Sequence, residues 1–299
     1  MTTPAQLEQT LRNVLHELRL YRPDLILIGG WVPYLYRHYG GLDPSSDEDT
    51  LTFELDVLVP RPLPSEGRPL LAEVLRHSAF RPEGGSLPAV WVRDLNAGEK
   101  IEFLTPHRGT AHGQGRVVAV PEQPGLGAIP LAELDVMVRH TRTLTLPPRA
   151  GSPAVEVQVP TLGAYVVNKG LTFLRRRPRT GEPGVPKLAK DLLYLRDLAA
   201  SGDAVITAVT RDLDAIAQSG LHAAGAVREA AMNLRMVTDG HLSHHLAATA
   251  QMVVTRGLTG SPALEEARTR AFLLDLHELL AETADRCSPI PPSAPPTDE

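Results

Sequence analysis

The chain has 299 residues, and at roughly 150 residues per domain this length predicts about two domains. Hydrophobic residues make up 42% of the chain and charged residues 22%, which excludes intrinsic disorder as its general state. Thirty basic and 35 acidic side chains give a net charge of -5, which argues against a protein coated in nucleic acid but allows a local basic groove.

The N-terminal part of the chain combines helical and strand patterns. Apolar residues at helical spacing predict the first helix, and Pro23 ends it because proline cannot continue the hydrogen-bond ladder. The predicted elements are, in chain order, a helix over 5–20, a strand over 25–28, a helix over 31–39, a strand over 51–59, a helix over 70–77, and strands over 89–93, 101–104 and 117–120. Glycine-rich residues 109–115 form a loop before the last of these strands.

The composition shifts near residue 127. Strands are expected over 135–140 and 155–159, and the chain then becomes mostly helical from 161 to 284, rich in Ala and Leu. The proline-rich end, 288–299, predicts a disordered tail. We therefore expect an α+β fold in which an α/β domain with a mixed sheet (1–126) precedes a second domain of strands and then a helical bundle (127–287).

The strand over 51–59 and the glycine pair before it suggest a site. Period-two alternation places Glu54 and Asp56 on one face of that strand. Gly29-Gly30 closes a strand and opens a helix, whose N-terminal N–H groups can hold a phosphate. Glu102 would complete a three-carboxylate cluster if its strand pairs beside 51–59, and such oxygen ligands suit Mg²⁺. The alternative is that these carboxylates face solvent on a half-exposed strand.

A basic stretch follows in the helical part. Lys169, Lys187 and Lys190 are candidates to neutralise phosphate groups. Arg175-Arg176-Arg177 and Arg179 are candidates to follow the phosphate backbone of a nucleic acid. The alternative is a solvated basic helix end, with Asp191 paired to Lys187 four residues earlier.

These residues carry a resemblance to a known group of proteins. Ile28-Gly29-Gly30-Trp31 and Thr52-Phe53-Glu54-Leu55-Asp56-Val57-Leu58-Val59 resemble the polymerase-β-like nucleotidyltransferase superfamily, in which an acidic-x-acidic pair follows a glycine turn and a third acid comes later. The helical half resembles the AbiEii-like branch of that superfamily, through Val159-Pro160-Thr161-Leu162, Lys169 and the segment Lys187-Leu188-Ala189-Lys190-Asp191. The resemblance covers about residues 25–200.

The resemblance implies roles for particular residues. The catalytic and metal-binding residues would be Glu54, Asp56 and Glu102, with Mg²⁺ or Mn²⁺ as the cofactor. The nucleotide-binding residues would be Gly29, Gly30, Trp31, Lys169, Lys187, Lys190 and Asp191. The sequence departs from the pattern at Glu54, where aspartate is more usual, and in a longer loop after Gly30.

We therefore expect a metal-dependent nucleotidyltransferase that moves a nucleoside monophosphate from a nucleoside triphosphate to an acceptor hydroxyl and releases pyrophosphate. The expected acceptor is a nucleic-acid 3′ end, of DNA or RNA and including tRNA, with a protein hydroxyl as a variant. Alternatives are a catalytically degenerate nucleotide-binding protein, which the departure at Glu54 suggests, and a toxin-like enzyme that modifies tRNA. A zinc hydrolase using His241, His244 and His245 is a further alternative, although the sequence lacks His-Glu-x-x-His.

The sequence also bears on disulfide bonds, membrane association and localisation. The single cysteine, Cys287, excludes an internal disulfide and a cysteine zinc cluster. No run approaches the ~18 apolar residues of a membrane span, and the first residues lack the pattern of a signal peptide. We expect a cytoplasmic protein without a membrane partner, whose oligomeric state the sequence does not determine.

Overall fold

The computed structural model describes residues 4–42, 54–93, 99–107, 116–149, 152–175, 187–239, 243–255 and 261–287. These residues form a mixed nine-stranded sheet followed by a run of helices, which confirms the predicted α+β class. None of the helices in the described ranges combines the length and hydropathy that crossing a bilayer requires.

The elements up to residue 160 alternate between the two kinds of structure. Their bounds are α1 (Pro4–Glu17), β1 (Ile26–Ile28), α2 (Trp31–Tyr39), β2 (Glu54–Leu58), α3 (Leu71–His77), β3 (Arg81–Glu83), β4 (Val90–Arg93), β5 (Glu99–Pro106), β6 (Val118–Ala119), β7 (Gly127–Leu131), α4 (Asp135–Arg139), β8 (Thr141–Leu146) and β9 (Val155–Pro160). A 3-10 turn at Ala132–Leu134 precedes α4.

The rest of the described chain is helical. Its helices are α5 (Leu162–Arg175), α6 (Lys187–Ala199), α7 (Asp203–Gln218), α8 (Leu221–Thr238), α9 (Ser243–Thr255) and α10 (Pro262–Arg286). Thr161, which precedes α5, accepts a hydrogen bond through Oγ1 from the Ala164 N–H at 3.4 Å, so it caps this helix. Helix α6 packs against α5 and also against α2, which brings the helical part onto the sheet.

The strand order places the candidate carboxylates near the middle of the sheet. The main path runs β3-β4-β5-β2-β1-β9-β8, with β7 on β5 and β6 on β7. Strand β2 pairs antiparallel with β1 and parallel with β5. Because β2 and β5 are neighbours, side chains on the same face of both strands lie side by side.

The core follows the apolar pattern of the sequence. In α1, Leu11, Val14 and Leu15 are buried, as their helical spacing predicts. In β2, Leu55 and Val57 are buried on the face opposite the carboxylates. Burying an aliphatic side chain of this size contributes about 1.5–3 kcal/mol. This side of the sheet therefore anchors β2 while the other side is left for polar residues.

One predicted strand is wrong. Residues 135–140 contain helix α4 instead of a strand. Val136 and Met137 are adjacent and both buried, which a strand facing one core would not allow, and Asp135 pairs with Arg139 one helical turn later. A short run of apolar residues has too few positions to distinguish the two periods.

Strands after residue 126 complete the same sheet. Strand β7 pairs with β5, and β9 pairs with β1. The division at 126/127 stays a prediction that limited proteolysis would test.

Strands β3, β7 and β8 were not predicted. The predictions for 51–53, the glycine-rich loop 109–115 and the tail 288–299 lie outside the described residues.

Candidate active site

Three carboxylates meet on the polar face of β2 and β5. The parallel register aligns Asp56 with Glu102, and Glu54 lies two residues earlier on the same face of β2. One oxygen each of Glu54, Asp56 and Glu102 lies within 4.8 Å of the other two, and all three residues are partly exposed. The strand pairing on which the predicted cluster depended is therefore confirmed.

The turn at Gly29 lies directly against this cluster. Gly29 has φ +75°, a conformation that residues with a Cβ rarely adopt. A Cβ at this position would overlap Asp56 Oδ2. The Gly29 carbonyl accepts a hydrogen bond from the Tyr165 hydroxyl at 3.0 Å. Glycine is thus required here both by the backbone conformation and by the carboxylate packed on it.

The second glycine is covered by an aromatic ring. A Cβ on Gly30 would lie 2.7 Å from the ring of Tyr194, which comes from α6. Trp31, the first residue of α2, is 1% exposed, and its ring packs edge-on against Tyr34. The Trp31 side chain therefore belongs to the core. Contact between Trp31 and a nucleotide stays a prediction.

Asp56 and Glu54 experience opposite electrostatic environments. Desolvation, followed by repulsion from Glu54 and Glu102, raises the pKa of Asp56 to about 7, although Lys169 and Lys190 counteract this. For Glu54, burial would also raise the pKa. The hydrogen bond and charge of Lys100, together with Lys190, outweigh burial and hold the pKa of Glu54 below its usual value.

Lys100 is a site residue that the sequence analysis missed. Its Nζ donates to Glu54 Oε1 at 2.7 Å, and Lys190 Nζ lies 3.6 Å from Glu54 Oε2. The signal was present in the spacing, because Lys100 precedes Glu102 by two residues and so shares its face of β5. Lys190 was predicted to contact phosphate, and the structure places it beside the triad.

Lys169 is held in a buried pocket between α5 and α6. Its ammonium donates to Asp191 Oδ1 at 2.5 Å and lies 5.4 Å and 5.0 Å from the ring centres of Tyr165 and Tyr194. The Thr172 hydroxyl lies 3.3 Å from Asp191 Oδ2. The structure thus brings Lys169 and Asp191 together. Asp191 thus has a buried partner on another helix, while its predicted pairing with Lys187 involves a side chain outside the described part of the structure.

Other predicted residues are placed only in part. Lys187 opens α6 and Arg175 ends α5, but their side chains are not described, and Arg176, Arg177 and Arg179 lie outside the described ranges. The rings of His244 and His245 lie 3.9 Å apart, while His241 is also outside those ranges. Within the described chain, the carboxylate triad is the one group with metal-binding geometry.

The donor set of the triad suits a hard divalent cation. Carboxylate oxygens are the ligands that Mg²⁺ and Mn²⁺ prefer. Close carboxylates repel each other, which adds to desolvation in raising the pKa of Asp56, and a cation among them relieves that repulsion. The residues present therefore fit a divalent metal, which Glu54, Asp56 and Glu102 would hold.

The fold and this site define a class: a mixed sheet that presents carboxylates on adjacent strands beside a strand–Gly-Gly–helix turn. A family model described as nucleotidyltransferase matches residues 9–219, which is more than half of the chain. The chain therefore belongs to this nucleotidyltransferase family. No curated protein and no solved structure matches the chain.

Proposed function

We propose that this protein transfers a nucleoside monophosphate from a ribo- or deoxyribonucleoside triphosphate to an acceptor hydroxyl, with Mg²⁺ or Mn²⁺ as cofactor. The observation that carries the proposal is the close packing of Asp56 on Gly29. It joins the carboxylate cluster to the N-terminal end of α2 in a chain of the nucleotidyltransferase family. A carboxylate cluster and a phosphate-binding helix end are the two parts that nucleotidyl transfer requires at one place.

The proposed reaction is a displacement at the α-phosphorus. The acceptor hydroxyl oxygen forms a bond to that phosphorus, and the bond between the phosphorus and the oxygen that bridges to the β-phosphate breaks. Pyrophosphate leaves with the bridging oxygen, and the hydroxyl proton passes to a carboxylate, for which Glu102 is our candidate. A divalent cation, when bound, lowers the pKa of the attacking hydroxyl and stabilises the charge of the leaving phosphate.

The triphosphate would lie between the glycine turn and the lysines. Backbone N–H groups at Gly29 and Gly30 would donate hydrogen bonds to phosphate oxygens, and Lys190, whose side chain is 41% exposed, is available to neutralise their charge. Lys169 is held by Asp191, and its charge still lowers the pKa of Asp56. We therefore assign Lys169 and Asp191 to positioning the side chains around the nucleotide, and Lys190 to direct contact with its phosphates.

The acceptor we favour is a nucleic-acid 3′ hydroxyl, tRNA included, because seven of the eight charged residues between Lys169 and Lys190 are basic. Membership of the AbiEii-like branch, which the sequence resembles, stays a prediction. A second candidate function is nucleotide binding without transfer. The ion pairs of Lys100 and Lys190 with Glu54 favour it, because they already neutralise one of the three carboxylates.

The test is a transfer assay with labelled nucleoside triphosphates and Mg²⁺ or Mn²⁺, offering a DNA primer, single-stranded RNA, bulk tRNA and the protein alone. Asp56→Asn tests the site, and Asp135→Asn, which changes a carboxylate on α4, serves as the matched control. Label on a nucleic acid with wild type and Asp135→Asn but not with Asp56→Asn supports the proposal. Nucleotide binding without transfer to any acceptor would contradict it and favour the second candidate.

A further inference from the structure

The pairing of β2 with β5 divides the site into two rungs of opposite character. In the outer rung Glu54 lies beside Lys100, and in the inner rung Asp56 lies beside Glu102. The outer rung is an ion pair, with Lys100 Nζ 2.7 Å from Glu54 Oε1. The inner rung contains two carboxylates. Only the inner rung therefore carries a local excess of negative charge.

We propose that the triad binds a single divalent metal ion, which lies at the inner rung. The ammonium group of Lys100 takes the place of a second ion at Glu54. The inference rests on the proposed function, because it concerns the metal that nucleotidyl transfer uses. The inference sets the number of bound ions at one. The three carboxylates alone do not determine this number, because such a cluster can hold two metals.

The charges around the triad support one ion. Both oxygens of Glu54 face an ammonium group, Lys100 at one and Lys190 at the other. A divalent ion at the outer rung would have to displace Lys100 or lie within a few ångströms of its positive charge, and like charges at that distance repel each other. At the inner rung, an ion would meet two carboxylates from neighbouring strands.

The position of Lys100 also suits a role toward substrate. Its side chain is 36% exposed, so the ammonium group is within reach of a bound molecule. Lys190 comes from α6, a different element, and reaches the same carboxylate. Two ammonium groups next to the inner rung can balance phosphate charge that a second metal would otherwise balance.

The experiment counts bound Mn²⁺ by electron paramagnetic resonance and measures its affinity by calorimetry, using the full chain in the absence of nucleotide. Wild type is expected to bind one ion. Lys100→Met is expected to bind Mn²⁺ at least about tenfold more tightly, because a positive charge beside the metal is removed. The double variant Lys100→Met/Lys190→Met is expected to bind a second ion.

Two control variants separate charge from structure. Lys100→Arg keeps the positive charge and should bind one ion with the affinity of wild type. Arg235→Met removes a positive charge from an exposed ion pair on α8 and should leave Mn²⁺ binding unchanged. Melting curves of each variant show that the comparison is made between folded proteins.

Several results would overturn the inference. Two ions bound by wild type would do so, as would unchanged or weaker Mn²⁺ binding by Lys100→Met, which is expected if Lys100 only orients Glu54 for the metal. The transfer assay keeps this failure distinct from failure of the proposed function. Transfer with two bound ions would refute the single-ion inference alone, while one bound ion without transfer would refute the function alone. No binding by any variant would refute the metal site itself.

Discussion

Two carboxylates in this protein, Glu8 and Asp56, differ in the partners that surround them. Glu8 on α1 is fully buried and accepts hydrogen bonds from Arg12 Nε at 2.7 Å and from the hydroxyls of Tyr34 and Tyr39. Arg149 Nη1 lies 3.0 Å from Glu8 Oε2. Asp56 lies beside Glu54 and Glu102 instead.

The consequence is an opposite response to burial. Burial would raise the pKa of Glu8, but its hydrogen bonds with Tyr34, Tyr39 and Arg12 hold the pKa below its usual value. The pKa of Asp56 is raised to about 7, because desolvation adds to repulsion from two neighbouring carboxylates. A carboxylate surrounded by donors stabilises the fold, whereas one surrounded by other carboxylates is costly for the fold and available for a cation.

The largest expected effect on stability is at Glu8. Glu8→Gln removes the charge that Arg12 and Arg149 face and should lower the free energy of unfolding by about 3 kcal/mol, because breaking a buried ion pair leaves a buried charge uncompensated. Denaturant unfolding measures this change. Glu282→Gln, at an exposed position of α10, is the control and should change stability by less than about 0.5 kcal/mol. An equal, small effect at both positions would show that the Glu8 network does not stabilise the fold.

In metal-free protein, Asp56→Asn is expected to raise the free energy of unfolding. The folded-state pKa of about 7 lies above the ordinary 3.8, so folding disfavours the ionised form. This cost is absent below about pH 4, grows as pH rises toward 7 and is complete above pH 7. The full pKa shift would correspond to about 4 kcal/mol, which partial exposure to solvent reduces. Asp56→Asn should therefore have a free energy of unfolding higher than that of wild type by about 2 kcal/mol at pH 8 and show little difference at pH 4. A variant less stable than wild type at pH 8 would contradict this assignment.

A smaller effect on stability is expected at Gly29, with a large effect on the site. Gly29→Ala forces a Cβ into a left-handed backbone and against Asp56, at an expected cost of about 1–2 kcal/mol from the backbone alone. Gly84→Ala is the matched control, since Gly84 also has positive φ but a Cβ added there would meet no atom within 4 Å. Both variants should lose stability, whereas only Gly29→Ala should weaken Mn²⁺ binding. Equal Mn²⁺ binding by the two variants would argue against contact between the turn and the metal site.

The sequence was sufficient for those parts of the site that depend on local periodicity. Alternation along 51–59 placed Glu54 and Asp56 on one face, and the flanking apolar residues marked Glu102 on a second strand. The helix over 31–39 and the glycine turn before it followed from the same reasoning. These features depend on neighbours in sequence, whose geometry the two regular periods determine.

The features that were missed depend on residues distant in sequence. Besides Arg12, which lies one turn later on α1, the partners of Glu8 come from α2 and from Arg149, and no local pattern connects these distant residues to Glu8. Lys100 joins Glu54 only because β2 and β5 are parallel neighbours in one register, which neither strand reveals by itself. The packing of Tyr194 on Gly30 likewise requires α6 to lie against α2. Helix α4 was predicted as a strand because its five residues are too few to distinguish the two periods.

The most direct test of the proposed active site is the rate of nucleotidyl transfer by wild type and by Asp56→Asn, measured side by side with labelled nucleotide, Mg²⁺ and the preferred acceptor. We predict a loss on the order of 10³-fold in Asp56→Asn, although this variant is expected to be at least as stable as wild type at pH 8 when both are metal-free. Asp135→Asn should retain the wild-type rate. Transfer by Asp56→Asn at the wild-type rate would contradict the assignment of this carboxylate cluster as the active site.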